Sequence, residues 1–214
     1  MKKIAIIGAS GLAREIWDLI NAINDQKLQW EIIGFYDDAY ATPTQIIGDS
    51  ICHGSISLLN DVKEELSIAF GIANREVVSN VFHTLSRKRN FNFPNLLHPS
   101  VEKGFDFKMG KGNVIATQTV FTTNVEIGDF NFFNTCCGIG HDSKIGNFNC
   151  FMPRVQISGN VIIGDFNNFY MSSMIVQDKS VGDKNTIFAA TLLTKSIKDN
   201  RTYFGVPGKK IPNL

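Results

Sequence analysis

The sequence predicts a small α/β unit followed by a parallel β-helix, and three observations carry that prediction. A glycine recurs every 18 residues, at Gly110, Gly128, Gly146, Gly164 and Gly182, each time after an apolar residue. An apolar residue recurs every six from Met109 to Leu193. Upstream, an apolar run, a glycine turn and an amphipathic stretch follow one another within the first 23 residues.

The six-residue register runs through Met109, Ile115, Phe121, Ile127, Phe133, Ile139, Ile145, Phe151, Ile157, Ile163, Phe169, Ile175, Val181, Ile187 and Leu193. All fifteen are apolar in a chain that is 43% apolar, which chance would give roughly three times in a million. The register meets Lys103 before this run and Asp199 after it. A period of six is neither helical nor a simple alternation. It requires a short strand and a corner in every six residues, with one side chain pointing inward. Three such sides close a triangular coil, and five coils spaced about 4.8 Å apart make a prism on the order of 24 Å long. Asn113, Asn131, Asn149, Asn167 and Asn185 place one asparagine in each coil, where it can occupy a left-handed corner and hydrogen-bond its stacked neighbours. The period leaves open a solenoid used only as a scaffold or binding surface.

In the N-terminal third, Lys3 to Ile7 reads as a buried strand and Gly8-Ala9-Ser10-Gly11 as a tight turn. Leu12, Ile16, Leu19, Ile20 and Ile23 form one face of a helix. Such a turn lets backbone N–H groups and the positive helix end approach a phosphate. It is an incomplete dinucleotide fingerprint, with Ser10 and Ala13 where the second and third glycines would stand. A second strand, Glu31 to Phe35, ends in Tyr36-Asp37-Asp38, where an acid can hydrogen-bond a ribose or a base. Ser67 to Phe70 reads as a strand, Glu76 to Leu85 as a helix, and the stretch around Pro94 and Pro99 as a linker. The unit is too small for a complete dinucleotide fold.

Composition narrows the class. With 21 basic and 20 acidic residues, no broad field advertises nucleic acid or an anionic membrane. Cys52, Cys136, Cys137 and Cys150 form no C-x-x-C pair, which argues against a disulfide scaffold or a structural zinc and for a reducing cytoplasm. The N-terminal apolar run is too brief for a signal peptide or a membrane span, so a soluble, unprocessed protein is expected.

Of four histidines only His141 falls inside the periodic segment, two positions after inward Ile139 and followed by Asp142. An imidazole there points outward from a corner and can take a proton from an attacking amine or hydroxyl, with the carboxylate orienting it. One histidine cannot supply the several zinc ligands of a β-helical carbonic anhydrase.

Residues 97 to 211 resemble the hexapeptide-repeat, left-handed β-helix acyltransferases. With Gly8-Ala9-Ser10-Gly11 and Gly34-Phe35-Tyr36-Asp37-Asp38 added, the whole chain is similar to the sugar-nucleotide N-acetyltransferases of the bacillosamine and perosamine pathways, and to sialic-acid O-acetyltransferases. The resemblance implies the left hand of the helix and two domains, with residues 1–92 binding a nucleotide sugar and residues 93–214 performing acyl transfer. It implies acetyl-CoA as cosubstrate, a UDP- or GDP-linked 4-amino-4,6-dideoxy sugar as acceptor, direct transfer without a metal, and a homotrimer sharing its acyl-CoA sites between subunits. It implies His141 as general base steadied by Asp142, and Gly8, Ser10, Gly11, Asp37 and Asp38 on the nucleotide. The same resemblance implies that Asn134 falls near the acceptor sugar, that the Gly159 N–H faces the acetyl carbonyl, and that Gly208 with Lys209 or Lys210 lies beside CoA. Two positions depart from the pattern: Cys150 stands where a second histidine approaches the acetyl group, and Leu12 where a histidine meets the diphosphate. O-acetylation of a sugar or sialic acid, a non-catalytic β-helix and an NAD oxidoreductase are the competing readings.

Overall fold

In the computed structural model, which describes residues 1–212, the chain divides into two units, Met1–Pro99 and Ser100–Leu214. The first apolar run forms β1 (Lys2–Ile7), whose Ile4, Ala5, Ile6 and Ile7 are fully buried. It lies in parallel between β2 (Trp30–Tyr36) and β5 (Leu66–Phe70). Burial on both faces explains why β1 and β5 read as continuous apolar runs rather than alternating ones. Helix α1 (Gly11–Gln26) buries Ala13, Ile16, Leu19, Ile20 and Ile23, an i, i+3, i+4 stripe. Leu12, expected on this face, is only half-buried. Ala13 takes the core position because the Gly71 backbone presses against it: a Cβ at Gly71 would lie 2.6 Å from that of Ala13. Helix α2 (Arg75–Leu85) is capped by Asn74, whose side chain accepts from the Glu76 and Val77 N–H groups.

The sequence reading misses one feature of this unit. A hairpin, β3 (Thr44–Ile47) with β4 (Ser50–Cys52), adds to the edge of the sheet through β2. Its strands are too short to show a period. With β6 (Phe91–Asn92) beyond β5, the sheet order is β3-β4-β2-β1-β5-β6.

The second unit is the expected β-helix. Two-residue strands stack in parallel with neighbours 18 residues on, as Val120–Phe121 does on Gly138–Ile139 and Glu126–Ile127 on Lys144–Ile145. Three faces result: one running from Val114–Ile115 to Thr186–Ile187, one from Glu102–Lys103 to Leu192–Leu193, and one from Lys108–Met109 to Ser180–Val181. Fourteen of the fifteen register residues are at most 5% exposed; Met109, on the first strand of its face, is the half-buried exception. Like stacks on like inside the prism. Phe133, Phe151 and Phe169 lie parallel with centroids 4.5 and 4.8 Å apart.

The register ends at Asp199 because the last turn is two residues shorter. Val181 bridges to Ile197 and Ile187 pairs with Tyr203. Lys209–Ile211 then returns antiparallel to Thr202–Phe204.

The asparagine column hydrogen-bonds as expected but does not occupy the left-handed corner. That conformation falls one residue earlier, at Phe130, Phe148, Phe166 and Lys184, with φ between 53° and 58°. A left-handed phenylalanine is costly, about 1–2 kcal/mol. The three rings offset this by stacking at 5.2 and 5.1 Å. Each asparagine instead ties coils together: Asn149 Nδ2 donates to Asn131 Oδ1 and to Gly164 O, while its Oδ1 accepts from the Asn167 N–H and Nδ2.

The glycine column has a steric cause. A Cβ at Gly146 or Gly164 would collide with Oδ1 of Asp165 or Asp183, which accepts from a backbone N–H of the coil below.

Candidate active site

His141 and Asp142 occupy the corner between the second and third faces. The chain turns there because Asp142 adopts left-handed backbone, φ 60°, a conformation that aspartate and asparagine tolerate better than most residues. The turn throws the imidazole outward and half-exposed, with Nδ1 2.7 Å from Asp142 Oδ2. The other carboxylate oxygen accepts from Asn124 Nδ2 at 3.0 Å. These bonds, that of Asn124 before that of His141, hold the Asp142 carboxyl below the usual carboxylate range.

Gly159 lies one coil above His141. A Cβ there would come 2.5 Å from His141 Nε2 and 2.6 Å from Cε1, so the imidazole lies across the glycine only because no side chain intervenes. On either side of it, Ser158 and Asn160 donate their N–H groups to Ile175 O and His141 O. Among the described residues the Gly159 N–H has no acceptor. Gly140 lets the two coils stack closely here, since a Cβ there would sit 2.5 Å from the Gly159 nitrogen. An oriented imidazole beside an unused N–H donor can remove a proton and stabilise a developing oxyanion.

The other solenoid residues picked out in the sequence lie elsewhere. Asn134 follows inward Phe133 at the corner between the first and second faces, is buried, and accepts from the Thr135 N–H at 2.7 Å. Cys150 lies on the first face, 4% exposed, with Sγ 3.8 Å from Met152 Sδ. Gly208 docks on the last coil, its N–H donating to Leu192 O at 2.8 Å, and exposed Lys209 follows. Within one chain, therefore, His141, Asp142 and Gly159 share a corner that Asn134, Cys150 and Gly208 do not. Asn124 and Gly140 escape a sequence reading; their signals are an amide 18 residues before Asp142 and a glycine outside the 18-residue column.

In the N-terminal unit, Gly8 (φ 97°) turns the chain out of β1 in a conformation suited to glycine. Asp37 binds this turn directly: its Oδ2 accepts from the Ala9 N–H and its Oδ1 from the Ala39 N–H. Asp38 accepts from Ser55 Oγ and the Ile56 N–H and borders a cavity of about 380 Å³ between Ser55–Asn60 and α2. Both acids thus shape the loops at the ends of β1 and β2. Ser10 is the N-cap of α1, yet its side chain makes no capping bond and no acid occupies the first turn. That helix end, with exposed Ser10 and Gly11, offers unmasked N–H groups to an anion.

Among the described residues no three of His, Cys, Asp and Glu gather as metal ligands. No helix there is long and apolar enough to cross a membrane.

Comparison with known proteins bears on the fold. Residues 3–85 match the PglD N-terminal domain family. The acetyltransferase domain of PglB from Neisseria gonorrhoeae, solved with acetyl coenzyme A, superposes with a TM-score of 0.89 at 25% identity, over 98% of this chain and 99% of that one. A histidine-to-asparagine mutant of perosamine N-acetyltransferase from Caulobacter crescentus, in complex with CoA and GDP-perosamine, gives 0.88 at 18% identity over 100% and 98%. WeeI from Acinetobacter baumannii gives 0.85 at 20% identity over 99% and 100%. No curated protein sequence matches.

Proposed function

We propose that this chain, which joins a PglD-like N-terminal domain to a left-handed hexapeptide β-helix, is an acetyl-CoA-dependent N-acetyltransferase of a nucleotide-linked amino sugar. The observation that carries this reading is the His141–Asp142 pair lying across the bare backbone of Gly159. The acceptor is a UDP- or GDP-linked 4-amino-4,6-dideoxy sugar, the amine being what His141 is placed to deprotonate.

Asp142 accepts from Nδ1–H and so leaves Nε2 as the bare base. As the sugar nitrogen attacks the thioester carbonyl, Nε2 takes the amine proton. The carbonyl oxygen gains negative charge and receives the Gly159 N–H, and the bond from carbon to sulfur breaks to release the CoA thiol, which takes up the proton. Electrostatic stabilisation by one such donor is worth on the order of 3 kcal/mol. In the N-terminal domain, residues 1–92 in this reading, the Gly8 to Gly11 turn and the open end of α1 receive the diphosphate, and the loops shaped by Asp37 and Asp38 receive the nucleoside. Residues 93–214 perform the transfer.

Two separate regions carry the solenoid's share of the site, and this supports a homotrimer in which the His141 corner of one copy faces the Asn134, Cys150 and Gly208 side of the next. There Asn134 meets the sugar, Lys209 or Lys210 a CoA phosphate, and Cys150 stands near the acetyl group. Cys150 and Leu12 replace groups that could carry charge, so contact with the acetyl group and the diphosphate relies more on backbone N–H groups. The decisive experiment is a CoA-thiol release screen with UDP- and GDP-linked amino sugars. Transfer to an amino sugar that falls at least a hundredfold in His141→Ala is expected. Release only with hydroxyl acceptors, or release untouched by that substitution, would overturn the reading.

A further inference from the structure

Asp142 belongs to a column of corner residues that alternates acid and amide: Asp106, Asn124, Asp142, Asn160 and Asp178. All five are left-handed, with φ from 52° to 61°. With coils about 4.8 Å apart, the alternation keeps stacked carboxylates about 10 Å from one another, near a Debye length. Both amides donate in the same direction. Asn124 Nδ2 reaches Asp142 Oδ1 at 3.0 Å, and Asn160 Nδ2 reaches Asp178 Oδ1 at 2.8 Å. Asn160 therefore turns its donor away from Asp142, whose two oxygens divide cleanly between Asn124 and His141.

We propose that Asn124 is a positioning residue for the acyl transfer: by pinning Oδ1 of Asp142 it keeps Oδ2 on His141 Nδ1 and the bare Nε2 toward the acceptor amine. This rests on the reading of His141 as the base. A half-exposed carboxylate held at one point rotates among several rotamers, whereas one held at both oxygens has a fixed plane. The tether is an uncharged amide, so it neither titrates nor repels the acid. It is also the larger of the two bonds' effects on the Asp142 carboxyl. The nearest cation along the chain, Lys144, pairs with Glu126 at 3.7 Å.

The column supplies its own control. Asn124→Ala and Asn160→Ala each remove one amide from a left-handed corner and leave alanine in the same backbone strain, but only the first touches Asp142. Purified full-length variants are compared by CoA-thiol release, thermal midpoint and oligomer size. Asn124→Ala should lower kcat about tenfold relative to Asn160→Ala, with both KM values within about twofold. In an Asp142→Asn background the same change should add less than about twofold, because its effect passes through Asp142. Equal kcat in the two alanine variants, or losses that multiply in the double variant, would overturn the proposal. If alanine prevents folding, Asn124→Ser against Asn160→Ser is read in the same cycle. If His141→Ala keeps full turnover, the base assignment falls and Asn124's role with it. An inactive His141→Ala beside multiplying losses sinks the Asn124 proposal alone.

Discussion

Gly159→Ala separates the two roles proposed for the His141 corner, folding and chemistry. The added methyl would lie 2.5 Å from His141 Nε2, 2.6 Å from Cε1 and 2.9 Å from Cδ2. Carbon contacts relax only beyond about 3.5 Å, so the ring must retreat by roughly an ångström. The backbone asks little of the new residue, because Gly159 is not among the left-handed glycines. The imidazole is half-exposed and can swing into solvent, which confines the stability loss to about 1 kcal/mol or a few degrees in thermal midpoint. The swing breaks the 2.7 Å bond to Asp142 and carries Nε2 away from the reacting nitrogen. A displacement of that size costs about a hundredfold in rate. Initial rates of CoA-thiol release against both substrates should show the loss in kcat, with CoA affinity by calorimetry little changed. Turnover within about threefold of wild type would refute the argument that His141 acts from this position.

Other consequences are open to measurement. Asn149→Ala leaves Gly164 O and the Asn167 N–H buried without their side-chain partner; at about 1–3 kcal/mol for each, denaturant unfolding should report a loss of about 3–5 kcal/mol, and a loss below 1 would contradict the ladder's stabilising role. The Asp142 carboxyl is held low by Asn124 and then His141, so its ionised form stabilises the fold above the unfolded pKa near 4, and that gain disappears as pH falls through the lowered folded value. The gap in thermal midpoint between wild type and Asp142→Asn should accordingly be present at pH 7 and close below about pH 4; a gap that widens in acid has the wrong sign. Burial pushes the Cys137 thiol up to about 12, so iodoacetamide at pH 8 should leave it unlabelled in the native protein and label it fully in guanidinium, and native labelling at the unfolded rate would show that the prism opens.

The sequence displays the solenoid almost in full because its core is one residue in six, repeated from Met109 to Leu193 without an insertion. What it conceals are features with no period. The last turn loses two residues between Leu193 and Ile197, which ends the apolar register although the hydrogen-bond ladder continues from Asp183 to Asp199. The left-handed positions at Phe130, Phe148 and Phe166 contradict local preference. They follow only once the rings are known to stack, a tertiary gain that overrides backbone propensity. In the N-terminal unit the acid pair is visible, but that Asp37 closes on the Ala9 N–H is not, because a carboxylate after a strand serves loop and ligand equally well.

For the candidate site, the lone solenoid histidine and the acid beside it are visible in the sequence, and the geometry explains how an acid fits there. Every coil must turn at this corner through a left-handed residue, and Asp106, Asn124, Asp142, Asn160 and Asp178 all supply one. A short side chain that hydrogen-bonds locally is what that backbone favours. Aspartate at 142 therefore satisfies the turn and reaches Nδ1 at 2.7 Å. The same turn explains why Asn124 stayed hidden. Its partner is not near in sequence but 18 residues away, a distance that becomes adjacency only when the coil pitch is known. Each level of this corner already turns through a left-handed polar residue, so Asp142 and Asn124, in the roles proposed for them, add no strain that the solenoid did not already carry here.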